Sequence, residues 1–91
     1  MAQIIWTEPA LNALDEIADH IALGDFDAAC RLVRRVFEKV DLLEGNPGLG
    51  NIPRDLCATP YRRLVVKPAY IYYRIEVDHV VIVFVERAER D

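Results

Sequence analysis

Three β-type runs crowd the second half of this chain: Tyr61-Arg62-Arg63-Leu64-Val65-Val66, then Tyr70-Ile71-Tyr72-Tyr73-Arg74-Ile75, then the apolar block Val80 to Val85. Only short breaks separate them, so the three strands form a meander. Period-two alternation over Tyr70 to Val77 puts Ile71, Tyr73, Ile75 and Val77 on one face, and Tyr70, Tyr72, Arg74 and Glu76 on the other. The block from Val80 has no polar alternation, as expected of a strand that is central in its sheet or covered on both faces. Asp78-His79 is read as the two-residue hairpin turn, without the favoured Gly.

The first half has a different period. Gln3 to Trp6 reads as a short strand and Thr7 as an N-cap, with Glu8 and Pro9 in the first turn. There a carboxylate suits the helix dipole and a missing N–H costs nothing. Leu11, Leu14, Ile17, Ala18 and Ile21 then recur at helical spacing. Gly24 ends this helix and Asp25 caps the next, whose apolar stripe is Ala29, Leu32, Val33, Val36, Phe37, Val40 and Leu43. Gly45-Asn46-Pro47 stops it, and Gly45 to Pro60 reads as a loop.

A meander with an N-terminal strand needs its apolar face covered, and the helical hairpin is the available cover. The expected fold is therefore β-α-α-β-β-β, an α+β domain over residues 1–91. Its small, antiparallel-rich four-stranded sheet carries both helices on one face. Leu14, Ile17, Ile21, Leu32, Val36, Phe37, Val40, Ile71, Tyr73, Ile75, Val83 and Val85 are the expected core. The opposite face, with Tyr70, Tyr72, Arg74 and in one reading Arg62, is left open for a partner.

Composition narrows the functional classes. A chain of 91 residues, 53% hydrophobic and 29% charged, describes one folded domain and argues against disorder. No apolar run approaches the ~20 residues that span a bilayer. The N-terminus lacks the basic and apolar regions of a signal peptide, so a cytoplasmic place with no membrane partner is expected. Charge is uneven: residues 1–53 hold four basic and nine acidic groups, residues 54–91 seven basic and six acidic. A nucleic-acid binder would usually be basic overall, and the net charge here is −4.

Few residues invite catalysis. Cys30 and Cys57 lack metal-type spacing and read as reduced, structural thiols. His20 and His79 have no second ligand at i+4, so neither a metal nor a cofactor is expected. Thr7 serves better as a cap than as a nucleophile. Arg31, Arg34, Arg35 and Lys39 read as a solvated helix face, against which the acidic face of the first helix could pair. The Arg and Tyr of the sheet differ, because both types anchor interfaces and Arg also forks onto carboxylate or phosphate. Tyr73 reads as core, while Arg62 and Arg74 fit either an interface or a plain sheet rim.

The whole pattern resembles the ParE/RelE superfamily of bacterial toxins from toxin–antitoxin operons. The resemblance is carried by Trp6-Thr7-Glu8-Pro9-Ala10, by Leu14-Asp15-Glu16-Ile17-Ala18-Asp19-His20-Ile21 and by Asn46-Pro47-Gly48-Leu49-Gly50. Arg62 with Leu64 and Val66, then Tyr72-Tyr73-Arg74-Ile75, then the closing Arg90-Asp91 complete it in family order.

The resemblance implies one of two activities: RelE-like members cleave mRNA on the ribosome, and ParE-like members poison DNA gyrase. Leu64 and Tyr70 stand where RelE has Lys and Arg, and the chain stops at Asp91 before the RelE C-terminal Tyr. Losing such groups removes proton transfers worth about 10²–10⁴ each. The ParE-like reading is therefore expected: a toxin neutralised by a cognate antitoxin, with no catalytic residue. Target or antitoxin contacts are expected at Arg62, Tyr70, Tyr72, Arg74, Arg87 and Arg90. The alternatives are an mRNA-cleaving ribonuclease and an inactive module that only binds antitoxin. Self-association of the free chain is a further expectation, and direct nucleic-acid binding stays open. Arg87-Ala88 replaces the His-Gly that ParE relatives often carry before their closing residues, so no role is carried over for that His.

Overall fold

Thr7 joins the two halves of the fold. Its hydroxyl caps the first helix by accepting from the Ala10 N–H at 3.3 Å, and donates to the Ile82 carbonyl at 2.8 Å on the last strand. The computed structural model describes residues 2–88. Strand β1 (Gln3–Trp6) leads into helices α1 (Glu8–Ala22) and α2 (Phe26–Asp41), and strands β2 (Tyr61–Val66), β3 (Ala69–Ile75) and β4 (His79–Arg87) follow. As expected from the sequence, Asp25 caps α2, its Oδ1 accepting from the Ala28 N–H at 3.0 Å. Three short 3₁₀ turns, Leu42–Glu44, Pro47–Leu49 and Arg54–Leu56, order the stretch read as loop.

The sheet order is β1-β4-β3-β2, with β1 parallel to β4 and the other two pairings antiparallel. This puts β4 in the interior of the sheet, which explains its unbroken apolar run. Both helices cover one face: Ala10, Leu14 and Ile17 of α1 and Leu32, Val36 and Val40 of α2 share a core with Leu64, Ile71, Tyr73, Val80, Ile82 and Val85. The expected α+β architecture is the one observed.

Four core expectations need correction. Phe37 is 36% exposed and packs on Trp6, ring centroids 4.8 Å apart, rather than filling the interior. Ile75 is exposed at the sheet's end, and Ile21 is partly buried against the core. Val83 is the extra residue of a bulge: Tyr72 faces Phe84 and Tyr73 faces Ile82, so Val83 drops out of register and is half-buried. On α1 the buried stripe runs through Ala10 and Ala13 instead of Leu11, because small side chains let the helix sit close on the sheet.

Two local expectations also shift. The hairpin turn falls one residue early, at Val77-Asp78, closed by the Glu76 N–H to the His79 carbonyl at 2.7 Å. Val77 is thereby outside the strand and 98% exposed. The acidic face of α1 does not pair with the α2 arginines; among the described residues the ion pair is Arg74–Glu76.

Because Thr7 caps a helix and holds the β4 bulge, Thr7→Val is expected to cost about 1–2 kcal/mol despite its matched shape. Denaturant midpoints at unchanged slope would measure it.

Candidate interaction face

Strand pairing decides which arginines share a face. Residues opposite one another in a sheet point the same way. Tyr61, Arg74 and Val81 stand in one row, Arg63, Tyr72 and Phe84 in the next, and Val65, Tyr70 and Glu86 in a third. All lie on the face without helices. Ile5 extends the first row through its pairing with Val81.

Side chains on this face hold one another in place. The Arg63 guanidinium lies over the Tyr70 ring, 4.4 Å from its centroid, a cation–π contact worth about 0.5–1 kcal/mol at exposed sites. The Tyr72 hydroxyl donates to Glu86 Oε1 at 2.8 Å, and Arg74 Nε donates to Glu76 Oε2 at 2.6 Å. Burial raises the Tyr72 pKa, and the bond to Glu86 raises it further against the opposing pull of Arg63. The phenol therefore stays protonated at neutral pH. Arg63 Nε is buried without a hydrogen-bond partner among the described residues.

Of the expected contact residues, the fold brings Tyr70, Tyr72 and Arg74 together on this face. Arg62 is not among them. It stands opposite Tyr73, on the helix-covered side, where its Nη1 donates to the Gly50 carbonyl at 3.1 Å. Arg87 closes β4 opposite Ala69, exposed at the strand's end and away from the three. Arg90 lies outside the described residues.

Arg63 is the cation that the sequence reading passed over. Its signal was present: Leu64 and Val66 are the apolar phase of their strand, so Arg63 and Val65 belong to the other. Tyr61, Phe84 and the bulged Val83 were also missed. Val83 lines a hollow of about 260 Å³ with Tyr61, Tyr72, Asp55 and Glu86.

A second exposed feature runs along the outside of the hairpin. Ala18, Ala22, Phe26, Ala29, Cys30 and Val33 line an apolar groove of about 370 Å³ between α1 and α2. Phe26 is 69% exposed and Leu23, in the same bend, 86%. Among the described residues no group of three or more His, Cys, Asp or Glu could hold a metal ion, and no helix is long and apolar enough to cross a membrane.

A small α+β domain with an aromatic–cationic sheet face and an apolar hairpin groove has the surfaces of a protein-binding module. Comparison with known proteins gives the family. Residues 4–91 match the ParE toxin of type II toxin–antitoxin systems, parDE, and the chain belongs to that family. It is 41% identical over 76 residues to "Putative toxin Y4kP" of Sinorhizobium fredii, covering 84% of this chain and 78% of that protein. It also superposes on a chain from the solved structure of a chromosomal ParDE TA system from P. aeruginosa. There the TM-score is 0.81 at 26% identity, with 98% of each chain covered.

Proposed function

We propose that this ParE-family toxin acts by binding and poisoning DNA gyrase, and that a cognate antitoxin silences it by covering its exposed apolar and aromatic surfaces. The observation that carries the reading is how the polar groups of the open face are engaged. Arg74 is held by Glu76 and Tyr72 by Glu86, while Arg63 is stacked on Tyr70. Such a face offers shape, area and fixed charge for a partner surface, with its carboxylates Glu76 and Glu86 already engaged by Arg74 and Tyr72. The antitoxin half of the reading is supported by the hairpin groove, whose apolar lining suits a segment that folds on contact. Freed of antitoxin, the chain would self-associate through the same groove.

Graded loss is the expected signature. Ala at Arg63 or Arg74 should each weaken gyrase inhibition by about 1–2 kcal/mol, and the pair by more, with binding and toxicity falling in parallel. A catalytic group would instead lose turnover while binding persists. Supercoiling assays on purified gyrase, run beside a translating extract probed for mRNA cleavage, make the measurement. Site-specific mRNA cleavage, abolished by one of these substitutions while gyrase is untouched, would replace this reading with the ribonuclease. Inertness in both assays, with antitoxin binding retained, would leave a binding module.

A further inference from the structure

The outer edge of β2 is built differently from the rest of this acidic protein. Two hollows beside it, of about 530 and 190 Å³, share Lys39 and Val65 and so form one trough between β2 and α2. Three cationic side chains line it, Arg35, Lys39 and Lys67, against one carboxylate, Glu38, and Arg35 donates to the Lys67 carbonyl. Among the described residues none of the three is in an ion pair. This concentration stands in a chain whose net charge is −4. Leu42, 56% exposed, and Leu49 supply apolar ground along its length.

The edge itself is part of a ladder. Asn51 pairs with Arg63 as an isolated antiparallel bridge, its N–H donating to the Arg63 carbonyl at 2.8 Å and its carbonyl accepting from the Arg63 N–H at 2.7 Å. The backbone groups of Arg63 therefore point outward from β3, and alternation turns those of Val65 the same way. Asn51 lies outside any strand, so the ladder that it begins is not continued at Val65, where the cations gather.

We propose that this trough docks an extended acidic segment of a partner protein, which adds to β2 by taking the N–H and carbonyl of Val65 while its carboxylates meet Lys39 and Lys67. A peptide is favoured over a nucleic acid because the edge offers a main-chain donor and acceptor side by side, the hydrogen-bonding set that an extended peptide fills. Leu42 and Leu49 suit alternate apolar side chains, and the net negative charge opposes a continuous polyanion. The surface is separate from the hairpin groove and does not depend on gyrase being the target.

The test uses the intact chain and a fluorescent eight-residue peptide alternating Glu and Val. Binding is expected to weaken about tenfold or more in the double variant Lys39→Glu, Lys67→Glu, since reversed rim charges would face the peptide carboxylates. Arg31→Glu, which reverses an exposed α2 cation outside the trough, should leave it unchanged. At saturation the Val65 amide should exchange its hydrogen about tenfold more slowly. Circular dichroism checks that the variants stay folded. Equal weakening by Arg31→Glu, an unprotected Val65 amide, or an eight-nucleotide single-stranded DNA that binds as tightly as the peptide would each overturn the proposal.

Discussion

Tyr73→Ala is expected to remove about 3–5 kcal/mol of stability, a large share of the ~5–15 kcal/mol that holds a domain together. The side chain is fully buried and ties the sheet to the loop over it. Its hydroxyl donates to the Pro47 carbonyl and accepts from the Gly50 N–H, both at 2.8 Å. Tyr73→Phe isolates those two bonds and should cost about 1–3 kcal/mol, because the loop's N–H and carbonyl lose their partner under cover. Gly50 completes the clamp. A Cβ there would come within 2.7 Å of the Tyr73 hydroxyl and 2.8 Å of the Arg63 carbonyl. Gly50→Ala should therefore destabilise by about 1–3 kcal/mol through overpacking.

The same phenol gives the fold a pH dependence. Burial raises the Tyr73 pKa, partly opposed by the Gly50 N–H. A group whose pKa is higher folded than unfolded contributes stability that is complete below its unfolded value and lost as pH rises through its folded one. For Tyr that window opens above pH ~10, and Tyr72 adds a contribution of the same sign. Alkaline unfolding followed by circular dichroism should be shallower in Tyr73→Phe than in the parent.

The second large effect separates two residues that sequence pattern treats alike. Leu14→Ala should cost about 2–5 kcal/mol, since Leu14 is almost wholly buried between α1 and the sheet and its loss leaves a cavity. Phe37→Ala should cost about 1 kcal/mol, chiefly its tilted contact with Trp6. Urea titrations of the two variants, compared at unchanged slope, would measure the gap. Equal losses would mean that Phe37 does serve as core.

Much of the fold was legible because it rests on local physics. Thr7 and Asp25 are caps by their chemistry, the apolar period of α2 announces its buried face, and the unbroken Val80–Val85 run announces an interior strand. Family membership was legible in the ordered motifs from Trp6 to Ile75. The contact face was legible only in part. Tyr70, Tyr72 and Arg74 follow from strand alternation, yet Arg62 was assigned beside them where Arg63 belongs. A one-residue choice of phase moves a side chain to the opposite face of a sheet, and two consecutive arginines leave that choice to the Leu64 and Val66 that follow.

Local chemistry and period alone thus determined the elements, their caps, their order and the side of the sheet that the helices cover. Tertiary structure decided what depends on meetings between residues far apart in the chain. The β4 bulge that turns Val83 out is set by a register with β3 that no local pattern encodes. The Tyr73 clamp joins residues 23 and 26 positions apart. The trough at β2 exists because α2 brings Arg35 and Lys39 beside Lys67. Short-range propensities act within a few residues, whereas register, bulges and charge clusters appear only once separate elements are packed against one another.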